Sequence, residues 1–552
     1  MIGLPQPAHG DGMRMPGSVS RTAMVEDSAM ICVSIGRGRH KQMIAEHQHL
    51  VAQGAKLVEL RLDYIRRDVN LPRLLRDRPS PVVISCRRPQ DGGRWMGSEQ
   101  ARQTLLRAAI VDGADYIDLE EDIAGSVPRY GKTKRIISYH NFQDFPEDLE
   151  EIHARMTRLD PDIIKIAVMA HRPRHNVRML KLVQSSSVPT VGICMGEIGV
   201  PTRILAGKFG APFTYATFHH ERTLAPGQLS YRQMTEIYHY DEINADTEVY
   251  GVVGDPIGHS LSPVIHNAAF RAKKLNKVYI PFRVPEGDFD EFLEECEFLG
   301  VKGLSITIPH KEEAMRRLTT VEPAAREIGA VNTIVFEEGE RRGYNTDYRA
   351  ALDSLLKGIG ETTVANPLAG RTVLVLGAGG VARAVVYGLK QREADVVVSS
   401  RTEERAKMLA QQFNCRWIDW AMRHTVRPHI LINCTPVGMH PNVDESPFHR
   451  HYLRRQMLVF DTVYNPEQTL LIKEARHQGC RTVTGVEMFI RQAAMQFKLF
   501  TKESPPIPLM VECLRREIGA ARYDAPLPID EAAKDESPSQ PSPTADVQDA
   551  AS

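Results

Sequence analysis

The sequence predicts an α/β protein of several domains: a (β/α)8 TIM barrel in the first half, then a second unit that contains a Rossmann dinucleotide-binding fold. Three observations carry this. Eight short β-branched, apolar runs lie between Met30 and Phe218, each followed by an amphipathic stretch. The segment T-V-L-V-L-G-A-G-G-V-A-R-A at 372–384 reads as strand, glycine turn and helix start. At about 150 residues per domain, the 552 residues amount to three or four domains, more than one hydrophobic core serves.

Composition narrows the function classes. Lys plus Arg equal Asp plus Glu at 69 each, so no global basic field gathers nucleic acid or an anionic membrane, and any anionic ligand must be held locally. The eight cysteines are scattered, with no C-x-x-C and no Cys/His cluster of zinc spacing, so no metal is expected and a reducing compartment is the simplest reading. No apolar run approaches the roughly 18 residues of a membrane span, and residues 1–28 lack the apolar core of a signal peptide. These features predict a cytoplasmic chain with a disordered arm at 1–28. Residues 524–552, crowded with Pro, Ser, Asp and Ala, read as a disordered tail.

The eight predicted strands are Ile31 to Gly36, Leu57 to Asp63, Val82 to Cys86, Tyr116 to Glu120, Arg135 to His140, Ile163 to Val168, Thr190 to Met195 and Phe213 to Phe218. They occupy about 190 residues, compact against the roughly 250 typical of such a barrel, and a doubly wound open sheet is the alternative. A barrel demands chemistry at the C-terminal strand ends. Strand two, V-E-L-R-L-D, puts Glu59, Arg61 and Asp63 on one face; strand three runs into Arg87; strand five ends at His140. Strand six, I-I-K-I-A-V-M, carries Lys165 inside an apolar run. Burial lowers a lysine's pKa and frees a neutral amine able to form a Schiff base with a ketone; the other reading is a lysine that snorkels or pairs with Glu59. His140, taken alone, reads as a satisfied core histidine. On adjacent strands, the amine and the imidazole together suit activation of a carbonyl and movement of the neighbouring proton, which fits a class I aldolase or a dehydratase.

The words V-E-L-R-L-D, S-Y-H-N-F, K-I-A-V-M, M-G-E-I-G-V-P-T-R and A-P-G-Q, in this order over about residues 29–240, resemble type I 3-dehydroquinate dehydratase. The resemblance implies an imine at Lys165 and proton transfer by His140. It implies substrate contacts from Arg203, Arg87, Arg61, Glu59 and Gln228, the arginines suited to the substrate carboxylate and Glu59 and Gln228 to its hydroxyls. Two positions depart from the family pattern: Asp91 stands for a glutamate near the histidine, and Leu224 for a hydroxyl residue before A-P-G-Q, with Thr223 beside it.

A linker of mixed polarity at about 241–248 precedes Y-G-V-V-G-D-P-I-G-H-S-L-S-P at 250–263, a strand ending in a turn that presents Ser260 and Ser262. Two such hydroxyls can hold a carboxylate or cap the helix beginning near Pro263. G-L-S-I-T-I-P-H-K delivers Thr307 and Lys311, G-A-V-N-T delivers Asn332, and G-Y-N-T-D delivers Asp347. In the glycine turn, Gly377, Ala378, Gly379 and Gly380 lead into Val381 and Ala382 and would admit a pyrophosphate at a helix N-terminus. D-V-V-V-S-S-R then ends in Ser400, Arg401 and Thr402, with Arg405 one turn on; guanidinium groups without a carboxylate favour the 2′-phosphate of NADP, although a solvated arginine pair fits too.

The motifs S-L-S-P, T-I-P-H-K, G-A-V-N-T, N-T-D, G-A-G-G-V-A-R-A, S-R-T-E-E-R, N-C-T-P-V-G-M, V-Y-N-P and G-V-E-M-F-I-R-Q-A resemble shikimate dehydrogenase over about residues 249–520. The resemblance implies Lys311 and Asp347 as the catalytic pair and Ser260, Ser262, Thr307, Asn332 and Gln492 at the substrate. It implies Thr435, Gly438, Met439 and Gly485 beside the cofactor. The predicted organisation is a dehydratase barrel at 29–243, a substrate-binding domain at 249–346, an NADP-binding Rossmann domain at 347–485, and helices at 486–523 returning to the substrate domain. Together the two resemblances imply a bifunctional enzyme of aromatic-precursor synthesis that converts 3-dehydroquinate to 3-dehydroshikimate and then, with NADPH, to shikimate. A non-catalytic sensor of intermediates and a catabolic quinate or shikimate dehydrogenase are the alternatives. The expected partners are these small molecules alone, and the sequence leaves oligomeric state, channelling and side activity on quinate open.

Overall fold

The computed structural model describes residues 30–219, 224–360 and 363–520. The arm at 1–28, the tail at 524–552 and Thr223 lie outside them. Strands β1 (Met30–Ile35), β2 (Leu57–Arg61), β3 (Val82–Ser85), β4 (Tyr116–Glu120), β5 (Lys134–Asn141), β6 (Ile163–Met169), β7 (Thr190–Met195) and β8 (Phe213–Thr217) form one sheet in the order β7-β6-β5-β4-β3-β2-β1-β8. Every ladder is parallel, and β8 returns to β1, which wraps the sheet into a nearly closed barrel. Alternation divides each strand: Ile31, Val33, Val58, Leu60, Ile137, Ile164 and Ile166 join the outer core, while Cys32, Leu57, Val83, Ile136, Ile163, Val191, Ile193 and Tyr215 fill the interior.

The expected helix after every strand is not present throughout. The β4–β5 connection holds a single turn, Ala124–Ser126, and the helices Leu71–Leu75 and Val200–Ile204 have five residues each. Those economies account for the barrel's small size.

The second half holds two further sheets. Strands β9 (Glu248–Gly254), β10 (Lys277–Arg283), β11 (Val301–Ile306), β12 (Thr320–Val321), β13 (Thr333–Glu337) and β14 (Glu340–Tyr344) run in the mixed order β10-β9-β11-β13-β14-β12. Strands β15 (Thr372–Leu376), β16 (Asp395–Ser400), β17 (Arg416–Asp419), β18 (Ile430–Asn433), β19 (Leu458–Asp461) and β20 (Arg481–Val483) run parallel in the order β17-β16-β15-β18-β19-β20. That is the doubly wound order, with its switch point between β15 and β18. The helix Gly485–Thr501 belongs to both cores, through Met488 to the third sheet and through Val486, Phe489 and Phe497 to the second.

The barrel and the second sheet share one continuous apolar core that runs from Ile31 to Ile334. At their joint Phe209 stacks on Phe298 with ring centroids 5.0 Å apart. Among the described residues no helix is long and apolar enough to cross a membrane.

Two candidate active sites

The first site lies at the C-terminal strand ends of the barrel. The β5–β6 register sets Ser138 beside Lys165 and His140 beside Ala167. Lys165 is 5% exposed, and its Nζ donates to Asp118 Oδ2 at 3.2 Å, stands 3.9 Å from Glu59 Oε1 and lies 3.9 Å over the Tyr215 ring. Arg87 competes for the same acids: Nη2 contacts Asp118 and lies 3.6 Å from Glu59, and Nη1 lies 3.9 Å from Glu120. Ser138 Oγ donates to Asp118 Oδ1 at 2.6 Å, and Ser34 Oγ to Glu59 Oε2 at 2.6 Å. Burial, then Arg87, pulls the Lys165 amine below its usual value against the pull of the two carboxylates. Burial favours neutral Glu59 and Asp118, but the neighbouring cations outweigh it and hold both below the usual carboxylate range.

Arg87 Nη1 donates to His140 Nδ1 at 3.3 Å. A guanidinium can only donate, so Nδ1 carries the lone pair in this arrangement. Burial, Arg87 and Lys165 together hold the His140 pKa well below its usual value. Arg203 is 1% exposed on the helix Val200–Ile204, its Nη2 donates to Pro226 O at 3.2 Å, and its Nε has no partner. Burial lowers its pKa to about 10. Glu59 Oε1 and Tyr215 OH are likewise buried without a hydrogen bond. A donor set of this kind fits a hydroxylated carboxylate.

Three of the residues named from the sequence also have partners within the protein. Arg61 is bound to Asp63 through two hydrogen bonds of 2.9 and 2.8 Å and donates to Gly92 O at 3.3 Å, so it braces the 88–94 loop. Asp91 accepts from Arg88 Nε at 2.6 Å, while His140 is engaged by Arg87. Gln228 Oε1 accepts from the Leu224 backbone N at 2.9 Å, which closes the A-P-G-Q turn on itself. Asp118, Glu120, Ser138 and Tyr215 complete the site without having been singled out in the sequence.

The second site lies between the second and third sheets. Lys311 Nζ donates to Asp347 Oδ2 at 2.5 Å, and the pair is 9% and 4% exposed. Asn332 Nδ2 donates to Asp347 Oδ1 at 2.9 Å and to Thr346 Oγ1 at 2.8 Å. Asn345 braces the turn: its Oδ1 accepts from Asp347 N at 3.0 Å and its Nδ2 donates to Ala330 O at 2.9 Å. Gln496 Nε2 donates to Asn332 O at 3.1 Å, and Gln496 Oε1 accepts from Ser305 Oγ at 2.8 Å. Ser305 in turn accepts from Tyr279 OH at 2.6 Å.

The helix near Pro263 begins one residue earlier, at Ser262, and Ser260 Oγ accepts from Ser262 N at 3.3 Å. Thr307 stands beside this turn, since a Cβ on Gly254 would lie 2.5 Å from Thr307 Cγ2. Gln492 lies on the helix Gly485–Thr501 and donates to Phe489 O at 3.0 Å; it is Gln496, one turn on, that ties this helix to Asn332.

The glycine turn directly adjoins the lysine. Gly377 has φ +110°, a left-handed conformation, and a Cβ there would press on Cys434 O at 2.9 Å. Gly379 has open space where a Cβ would project, and a Cβ on Gly380 would come within 3.0 Å of Lys311 Cδ. The helix Gly380–Lys390 has no side-chain cap, so its first N–H groups face outward with the buried Ala382 behind them. Ala378 and Val381 line the same turn, and Ser400 Oγ accepts from Thr402 N at 3.3 Å. Arg401 and Arg405 are exposed and, among the described residues, paired with no carboxylate. Thr435 Oγ1 donates to Asn433 Oδ1 at 2.7 Å, Gly438 has φ +96°, and Met439 is 45% exposed at the cleft. A Cβ on Gly485 would lie 2.2 Å from Val463 O, so only glycine lets that helix end approach β19. These features fit a dinucleotide with an additional phosphate.

The comparisons with known proteins divide the chain in the same way. Residues 31–245 match the family model of type I 3-dehydroquinase, 252–334 the shikimate dehydrogenase substrate binding domain, 361–462 shikimate/quinate 5-dehydrogenase, and 485–515 the shikimate 5′-dehydrogenase C-terminal domain. A shikimate dehydrogenase (NADP+) of Methanothermobacter thermautotrophicus is 38% identical over 284 residues, 50% of this chain and 98% of that protein. The crystal structure of a Thermus thermophilus shikimate 5-dehydrogenase in complex with NADP(H) and shikimate is 34% identical, covers 49% of this chain and 99% of that one, and has a TM-score of 0.44. The chloroplastic bifunctional 3-dehydroquinate dehydratase/shikimate dehydrogenase of Arabidopsis thaliana is 37% identical over 502 residues, 87% of this chain and 83% of that protein. With both halves matched in one continuous alignment, the chain belongs to the family of bifunctional 3-dehydroquinate dehydratase/shikimate dehydrogenases.

Proposed function

We propose that Lys165 and His140 dehydrate 3-dehydroquinate to 3-dehydroshikimate in the barrel, and that Lys311 and Asp347 serve its reduction to shikimate in the second half. The observation that carries the reading is the buried Lys165 amine, lowered in pKa, one strand from an imidazole held neutral. Neutral Lys165 Nζ adds to the substrate ketone and expels water to give an iminium. The iminium accepts the electron pair left when His140 removes the adjacent proton. His140 then returns a proton to the departing hydroxyl, and hydrolysis of the imine releases Lys165. Arg203, with an unpaired Nε, holds the substrate carboxylate, and Glu59 Oε1, which accepts no hydrogen bond within the protein, receives a hydroxyl.

In the second site, Ser260, Ser262, Thr307 and Asn332 hold the substrate. The turn from Gly377 to Ala382 holds the NADPH pyrophosphate, with Ser400, Arg401, Thr402 and Arg405 at its 2′-phosphate and Thr435, Gly438, Met439 and Gly485 beside the nicotinamide. Bound NADPH supplies a hydride to the ketone carbon. Lys311 gives the ketone oxygen its hydrogen bond and then its proton, while Asp347, bound to Nζ, keeps the side chain aimed.

The three sheets support the division into a barrel, a substrate domain and a nucleotide domain. The described cysteines are all free, which supports a reducing, cytoplasmic setting. Incubation with 3-dehydroquinate and NADPH is expected to yield shikimate, and borohydride added with 3-dehydroquinate to leave a stable adduct on Lys165. Shikimate formed without any such adduct overturns the imine mechanism.

A further inference from the structure

One arginine is bound to the substrate-facing loops of both sites. Arg283, the last residue of β10, donates from Nη1 to Glu197 Oε2 at 3.0 Å and from Nε to Asp255 Oδ1 at 2.8 Å. Glu197 follows Gly196 in the loop after β7. Gly196 N donates to Pro226 O at 3.2 Å, and the same carbonyl accepts from Arg203 at 3.2 Å. A Cβ on Gly227 would lie 2.2 Å from Gly196 O, so the A-P-G-Q turn rests directly on this loop. On the other side, Asp255 opens the turn that presents Ser260 and Ser262. Its N donates at 3.0 Å to Ile308 O, in the segment that carries Thr307 and Lys311. Gly258 of that turn abuts Glu197, 3.7 Å from Oε1 to a Cβ.

We propose that Arg283 is a positioning residue. It sets the Ser260–Ser262 turn for 3-dehydroshikimate and, through Glu197, makes that turn respond to occupation of the barrel. The proposal rests on the assignment of the two sites above. Residues 255–261 belong to no helix or strand, so their placement depends on such anchors. A planar guanidinium reaches two carboxylates from two edges at once, which an ammonium cannot do in the same geometry. Exposed ion pairs contribute little stability, and Arg283 and Glu197 are 36% and 55% exposed. The effect of this bridge is therefore on loop position rather than on folding.

In the full chain, Arg283→Ala is expected to raise the dehydrogenase KM for 3-dehydroshikimate by about threefold to fivefold, the range one exposed ion pair supports, with kcat changed less than about twofold. Arg283→Lys recovers part of the KM. Filling the barrel covalently, with 3-dehydroquinate and borohydride, shifts the dehydrogenase KM of the unmodified sequence, and Glu197→Gln abolishes that shift. An unchanged KM in Arg283→Ala overturns the positioning role. No shift on filling the barrel, or a shift that persists in Glu197→Gln, overturns the coupling. Failure of the site assignment is seen separately, as absent turnover or absent adduct in the unmodified chain.

Discussion

Each candidate site is built around a buried lysine, and the two lysines meet their acids in different company. Lys165 shares its acids with Arg87, a competitor that is always charged, so burial prevails and the amine is pulled toward neutrality. Lys311 has Asp347 to itself among the described residues, and Asn332 turns that carboxylate toward it. In the proposed chemistry the amine that shares its acids with a second cation is the nucleophile, and the amine beside an undivided carboxylate is the hydrogen-bond donor. The difference is in the second cation, not in the number of acids.

The largest effect is expected at the barrel lysine. Lys165→Met is expected to lower dehydration by about 10⁴-fold or more and to abolish the borohydride adduct, with NADPH-dependent reduction unchanged. Asp347→Asn should lower reduction by about 10²- to 10⁴-fold while dehydration, followed at the enone absorbance of the product, stays intact. Loss of both activities in either variant would mean that the sites do not work independently. Asp118→Asn tests the shared acid. It takes from buried Arg87 its nearest carboxylate and from Lys165 a hydrogen-bond partner, and should cost the barrel about 3–5 kcal/mol in urea unfolding, with a further fall in the Lys165 pKa.

The smallest effect is in pH, where the halves differ in sign. Burial, Arg87 and Lys165 depress the His140 pKa in the folded state. Below the ordinary histidine value of about 6.5 the unfolded chain therefore takes up a proton that the folded chain refuses. Its contribution is complete above about pH 6.5 and declines as pH falls. Asp461, on the nucleotide sheet, behaves oppositely: burial pushes its carboxyl up to about 6, although Thr469, Val463 N and Asn433 donate to it. The fold therefore prefers the protonated acid, and this contribution is present below about pH 4 and lost as pH rises to about 6. Urea midpoints at pH 5 and pH 7 should move in opposite directions in His140→Gln and Asp461→Asn.

What the sequence reveals of these sites follows from how local each constraint is. Lys165 stands out because a charge inside an apolar strand requires an explanation. Asp118 interrupts β4 in the same manner, but Y-I-D-L-E, with two acids in five residues, also describes a solvated strand end. Only the sheet order that carries β4 through β5 to β6 shows Asp118 facing the lysine. Tyr215 leaves no trace in F-T-Y-A-T, where an aromatic on a strand is ordinary. The glycine turn is legible because its requirement is for a backbone conformation within a few residues. Arg61 has an equally local partner that the alternation already puts in reach: Asp63, two residues on and on the same face, accepts two hydrogen bonds from it. The missing helix after β4 is invisible locally, since the strands on either side pair regardless of what joins them.

The shared core described above implies that the boundaries of cooperative unfolding and of catalysis do not coincide. The barrel and the second sheet are joined through one apolar cluster, whereas the nucleotide sheet buries its own on both faces. On heating, the dehydratase and the substrate half of the dehydrogenase are therefore expected to melt as one unit and the nucleotide half as another, which calorimetry of the full chain checks. Excising the barrel exposes the joint around Phe209 and Phe298, so the second half loses part of its apolar packing even though every residue proposed for its chemistry lies outside the barrel.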